Sequence, residues 1–213
     1  MEYISFYHKV ACEGGEKMLM FTEEQLRDLI AGRMIGHAYP YDTNDDGEVE
    51  AHIRRLFYRI NRIPGIICEA EWDHFGSGYA SFVEFYCYKE EDQIVTKNKW
   101  TREVRTEGLL IYISRLAPVA IMGEDARYKT LRNEKGEVTG GVFGSLTKPS
   151  DLRIGEGFLS IAEKITEAIE EFDYELLKEN MINMPLPFQV KIPTIYSEPR
   201  DYTIMHAIFY WED

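Results

Sequence analysis

The side chains best placed for chemistry sit in one short acidic stretch, Asp42-Thr43-Asn44-Asp45-Asp46-Gly47-Glu48. Oxygen-bearing side chains alternate at Asp42, Asn44 and Asp46, and Gly47 follows where a calcium loop turns sharply. Alternate oxygens on a tight turn converge on one hard cation, and Glu48 stands beside them as a further donor. The match stops short of a complete EF-type loop. Its twelfth position is Ile53, where a bidentate glutamate belongs, and Pro40 occupies the place of the incoming helix. Two readings follow. One is a half loop that takes Ca²⁺ with help from water or a distant carboxylate. The other is an Asp/Asn/Gly turn whose acids cap the helix that follows.

Arg115 is the second notable residue. With Ser114 it supplies the polar groups inside residues 108–123, the longest apolar run of the chain. A guanidinium buried alone costs several kcal/mol, so Arg115 must meet a carboxylate or open on a cleft. The first arrangement is structural; the second makes Arg115 and Ser114 a binding site for an anion or carboxylate. Glu69, Glu71 and Glu84 lie in neighbouring strand candidates and Asp73 in the turn between them, and two such carboxylates in a cleft can do acid–base work. Strands of unknown register do not say which of them meet.

Other patterns are weaker. His8, His37, His52, His74 and His206 make no H-x-x-x-H, and Cys12, Cys68 and Cys87 make no C-x-x-C. Asp73, His74 and Ser77 crowd the side chains of a hydrolase triad into one turn, but triads assemble from distant positions and no G-x-S-x-G is present. Lys97, Lys99, Trp100, Arg102 and Arg105 interleave cations with an aromatic, as single-stranded nucleic-acid binders do. The formal net charge of −13 repels such polyanions.

These residues need elements to hold them. Thr22-Glu23-Glu24-Gln25 is a capping box that starts a helix with Leu26, Leu29 and Ile30 on its apolar stripe. Residues 48–62 read as a second helix, with Val49, Ile53, Leu56 and Ile60 on one face. Residues 158–180 hold the longest helical period, with Asp173 as a restart point. Strands are expected over 3–11, with 17–21 as its hairpin partner, and over 66–72 and 79–88, and residues 202–211 read as a last apolar strand with a helix as the alternative. Residues 108–123 read as one central strand, apolar at both alternations and so covered on both faces, bent or broken at Pro118. Residues 127–132 and 137–143 bracket a turn and predict a hairpin. Residues 92–107 are polar, basic and without a clear period.

The 213 residues suit a single α+β domain over 1–213, a mostly antiparallel sheet with three or four helices packed on it. An odd number of scattered cysteines suits a reduced, cytoplasmic protein with buried thiols. No apolar run is long enough to span a membrane as a helix. Three functions stay open. An acidic surface with 14 tyrosines suits a non-catalytic protein-binding module that docks a basic protein, as an inhibitor or immunity-type protein does. A cleft near Arg115 makes an enzyme or small-ligand-binding domain. A cation at Asp42, Asn44, Asp46 and Glu48 makes a calcium-stabilised structural domain. With no catalytic signature, the first reading leads, and no cofactor beyond Ca²⁺ is expected.

Overall fold

A computed structural model describes residues 8–10, 17–19, 21–76, 78–132 and 136–212. In order these form β1 (His8–Val10), β2 (Lys17–Leu19), α1 (Glu23–Ile30), α2 (Asp46–Ile60), β3 (Ile67–Glu71), β4 (Tyr79–Ala80), β5 (Phe82–Tyr88) and β6 (Gln93–Lys97). There follow β7 (Thr101–Ser114), β8 (Val119–Arg132), β9 (Val138–Val142), α3 (Leu159–Glu170), β10 (Glu175–Leu176), α4 (Glu179–Ile182), α5 (Ile204–Ile208) and β11 (Trp211–Glu212). The architecture is α+β, and the seven-stranded sheet has the order β10-β8-β7-β5-β3, with β6 beside β7 and β9 beside β8. Its pairings are antiparallel except β10 on β8. Among the described residues there are five helices; α1, α2 and α3 run to 8, 15 and 12 residues, and α4 and α5 are single turns.

Successive strand residues face opposite sides, so β7 and β8 feed two cores. Leu110, Tyr112 and Ile121 pack with Leu26 and Leu29 of α1 and with α5. Leu109, Ile111 and Met122 pack with Ile53 and Leu56 of α2 and Ile165 and Ile169 of α3. The sheet is thereby covered on both faces. The capping box of α1 is present: Gln25 N donates to Thr22 Oγ1 at 3.1 Å, and Thr22 N donates to Gln25 Oε1 at 2.9 Å.

Three expected elements are corrected. Residues 108–123 are not one strand. They are the end of β7 and the start of β8, folded back through residues 115–118, with Ile113 opposite Ala120. Ser114 makes the turn: its hydroxyl accepts from Leu116 N at 3.1 Å and Ala117 N at 3.2 Å. Leu116 and Ala117 are themselves buried, so the turn carries no hydrophilic signal. The helix begun near Phe158 stops at Glu170, and Asp173 does not restart it. Asp173 takes φ 61°, a left-handed conformation that ends the helix. Phe172 and Leu176 keep the apolar period because both pack on the core that α3 serves. Residues 202–211 take the helical alternative in place of the strand: they hold the short helix α5, with β11 after it.

The 127–143 hairpin is present as β8 and β9, with residues 133–135 of its turn outside the described residues. The β1–β2 pair forms as expected; the turn at 13–16, and Cys12, lie outside the described residues. Cys68 and Cys87 are buried free thiols facing one another across β3 and β5. No helix among the described residues is long and apolar enough to cross a membrane.

The sheet outruns its covering helices. Leu109–Ser114 of β7 is wholly buried, whereas Thr101–Arg105 is half-buried or exposed. Beyond the end of β5, β6 takes its place beside β7, and β9 pairs the last turnward residues of β8. The result is a four-stranded arm, β6-β7-β8-β9, built from residues 93–107, 126–132 and 136–142.

Candidate functional site

The acidic stretch is organised around a residue outside the calcium pattern. Asp45 is the N-cap of α2, and its Oδ1 accepts from Gly47 N at 2.8 Å and Glu48 N at 3.2 Å. Asp42 lies in a single 3₁₀ turn, Asn44 is left-handed at φ 53°, and Asp46 already belongs to α2. Glu48 accepts from the Tyr39 hydroxyl at 2.7 Å. Among the described residues no three His, Cys, Asp or Glu side chains form a metal-holding group. The expected outcome of a titration to millimolar Ca²⁺ is an unmoved thermal midpoint, because Asp46 is drawn into α2 and Glu48 is held by the Tyr39 hydroxyl. A rise of several degrees would put the cation in the loop.

Arg115 meets a carboxylate, Glu50 of α2, with Nη1 at 3.5 Å from Oε2. Its Nη2 donates to Trp72 O at 2.9 Å and its Nε to Phe82 O at 3.4 Å. Burial pulls its pKa down and Glu50 pulls it back up. Glu50 in turn accepts from Arg54, whose guanidinium lies 4.1 Å over the Trp72 ring. Ser114 is buried and closes the adjacent turn; its carbonyl accepts from the Tyr41 hydroxyl at 2.6 Å. Arg115 thus ties α2 to the ends of β3 and β5. Arg115→Met is expected to lower stability by roughly 2–4 kcal/mol, since two carbonyls and Glu50 lose their partner. Urea unfolding measures this. If binding per folded molecule fell instead, Arg115 would be a ligand contact.

The carboxylate cluster of interest lies elsewhere. Register places Glu71 opposite Glu84 and Glu69 opposite Tyr86. Glu84 is buried and accepts from Arg127 of β8, also buried. Burial raises the Glu84 carboxyl to about 7, against the pull of the Arg127 guanidinium. Arg127 also stands 3.7 Å from Asp125 Oδ2, and its guanidinium lies 4.0 Å over the Tyr86 ring. The Tyr86 hydroxyl donates to Thr106 O at 2.7 Å. Asp73, by contrast, stays out of this group, in the turn that leads to Gly76.

This seam joins the body of the sheet to the arm. Cross-strand register puts Val95, Arg102, Val104, Arg127, Lys129 and Leu131 on one face of the arm. They line a cavity of about 230 Å³ with Tyr86, Tyr88 and Glu69. Lys129 Nζ donates to Glu69 Oε2 at 2.9 Å, and the Tyr88 hydroxyl donates to Glu69 Oε1 at 3.1 Å. Burial, and then the Glu69 charge, raise Tyr88 to about 12. Neither Arg115 nor Glu84 lines this cavity.

The arm also displays apolar surface. Of the twelve large apolar side chains exposed among the described residues, seven lie on it or directly after it: Ile94, Val95, Trp100, Tyr128, Val138, Val142 and Phe143. Trp100, at the β6–β7 tip, is 68% exposed. Sequence reasoning named Glu69 and Glu84 but missed Arg127 and Lys129. Their signal was the two-residue spacing Arg127, Lys129, Leu131, which matters only once the hairpin partner is known.

No family model matches the chain, and no curated protein or solved structure matches it.

Proposed function

We propose that the protein is a non-catalytic protein-binding module whose docking element is the β6-β7-β8-β9 arm. The observation that carries this reading is the gathering of exposed apolar side chains on one projecting sheet. Single exposed hydrophobics are ordinary, but seven on one element suit a protein interface. The arm also leaves the outer edges of β6 and β9 without a strand partner among the described residues, and such edges favour pairing with another chain. The enzyme reading is weaker. The one carboxylate raised to about 7, Glu84, is buried behind Arg127 and does not line the cavity.

A second surface bears on the basic partner that net charge suggests. Residues 93–107 and 126–142 carry eight Lys or Arg and four Asp or Glu, of 24 and 37 in the whole chain. The acid surplus therefore belongs to the body. A basic partner, of the kind an inhibitor or immunity-type protein binds, suits the body surface and not the arm.

The test compares capture by the tagged wild type with capture by Val95→Asp/Val142→Asp. Both residues are exposed, so the double variant keeps its fold to within about 1 kcal/mol. It is expected to lose the captured partner by tenfold or more. Undiminished capture by a folded double variant would refute the arm as the docking element.

A further inference from the structure

We propose that the arm cavity is a carboxylate-binding pocket for an acidic segment of the partner protein. The inference rests on the reading of the arm as a docking element and adds the chemistry of what docks there. It starts from the sign of one face. Cross-strand register groups Gln93, Val95 and Lys97 of β6 with Arg102, Val104 and Thr106 of β7. The same face carries Arg127, Lys129 and Leu131 of β8 and Val138 of β9. No strand position on this face of the arm is acidic, although the chain as a whole carries −13. The opposite face is mixed: Glu103 and Glu107 lie there with Arg105.

The cations differ in what they already hold. Lys129 is engaged by Glu69, which reaches in from β3. Arg127 is engaged by Glu84 and Asp125, yet its buried Nε makes no hydrogen bond. Arg102 is half-buried, lines the cavity, and has no ion pair or hydrogen bond to its side chain among the described residues. A guanidinium fork left open in a cavity that Lys129, Tyr86 and Tyr88 also line suits a planar, bidentate carboxylate. Glu69 is the internal precedent: the same cavity wall already holds one carboxylate, through Lys129 and the Tyr88 hydroxyl.

The walls choose the source of the carboxylate. Val95, Val104 and Leu131 are aliphatic, so the cavity suits an acid on a short aliphatic stem. Its volume of about 230 Å³ accommodates a side chain or two, not a run of nucleotides. The exposed aromatics of the arm, Trp100, Tyr128 and Phe143, are not among the residues that line the cavity, and Tyr86 and Tyr88, which do line it, are buried, so no stacked row of bases is offered there. A polyanion also meets the acid surplus of the body, whereas a segment with two or three acids among apolar residues meets far less of it.

Fluorescence anisotropy with a short labelled peptide alternating glutamate and valine tests this on the full chain. Its glutamine counterpart, citrate and oligo-dT are the comparison probes. The glutamate peptide is expected to bind about tenfold or more tightly than the glutamine peptide, and more weakly as salt rises. Arg102→Gln removes a cation with no partner among the described residues, so its unfolding midpoint holds while peptide binding falls about tenfold. Glu69→Gln frees Lys129 and is expected to tighten peptide binding severalfold. Equal binding of both peptides, or none, overturns the proposal. So does tighter binding of oligo-dT, which would mark a nucleic-acid surface, or binding of citrate as tight as the peptide, which would mark a small-anion pocket. If the peptide fails while Val95→Asp/Val142→Asp still abolishes partner capture, the pocket falls and the docking arm stands. If capture survives that double variant, the docking reading itself falls.

Discussion

Replacing Arg127 with methionine is expected to lower stability by about 3–5 kcal/mol at pH 8, and by clearly less at pH 5. The guanidinium is buried, pairs with Glu84, and lies over the Tyr86 ring with the Phe143 ring 5.4 Å away. Removing it leaves a buried carboxylate without its counter-charge, which costs far more than the pair is worth. The pH dependence follows from the direction of the Glu84 shift. Its folded pKa, about 7, stands above the ordinary value of 4.5. Between those values the folded state binds more protons than the unfolded one, so stability falls as pH rises. In the wild type that contribution, about 3 kcal/mol, is fully present below 4.5 and lost by about 7. Without Arg127 the folded pKa rises further, so the decline continues above pH 7. Urea unfolding from pH 5 to 8.5 reads this directly. Equal losses at both ends would mean that Glu84 is not the group left uncompensated. Arg127→Met/Glu84→Gln should recover most of the loss, because the pair and not either member alone is what the site tolerates.

The second large effect is expected at Gly108. A Cβ there would stand 2.6 Å from Cys87 O and 3.1 Å from the Tyr86 ring. The first of these is backbone and cannot swing away, so even Gly108→Ala must shift β5 against β7. A cost of about 1–3 kcal/mol is expected for alanine, and more for valine. The consequence reaches the site, because Tyr86 crosses Gly108 to donate to Thr106 O and supports the Arg127 guanidinium from below. Near-ultraviolet circular dichroism should therefore change along with the urea midpoint. An alanine variant as stable as the wild type would mean that the strands meet less closely there.

Much of the fold is legible from local chemistry. Thr22 and Gln25 announce α1 because a capping box is satisfied within four residues and needs no tertiary partner. The apolar face of α2 is legible for the same reason, and so is the β8–β9 hairpin. What stays hidden depends on partners far along the chain. The turn at residues 115–118 is hidden because its own residues are buried, so the polar signal of a turn reduces to Ser114 and Arg115. The end of α3 is hidden because Leu176, on β10, packs where the next helical residue would.

The site divides the same way. A guanidinium in an apolar run had to meet a carboxylate or open on a cleft, and Arg115 meets Glu50, on a helix that its sequence neighbours do not identify. The carboxylates Glu69 and Glu84 were visible as residues, but their cations, Lys129 and Arg127, lie 60 and 43 positions away. The basic stretch at 97–105 was visible, but the net charge of −13 set it aside: averaging over the chain conceals a basic sheet on an acidic body.

The docking role of that arm is tested most directly by amide hydrogen exchange on the captured complex. New protection on binding is expected in residues 93–107 and 138–142, centred on the edges of β6 and β9, with α2 and α3 unchanged. Protection confined to α2, α3 or the C-terminal segment, with the arm exchanging as in the free protein, would contradict it.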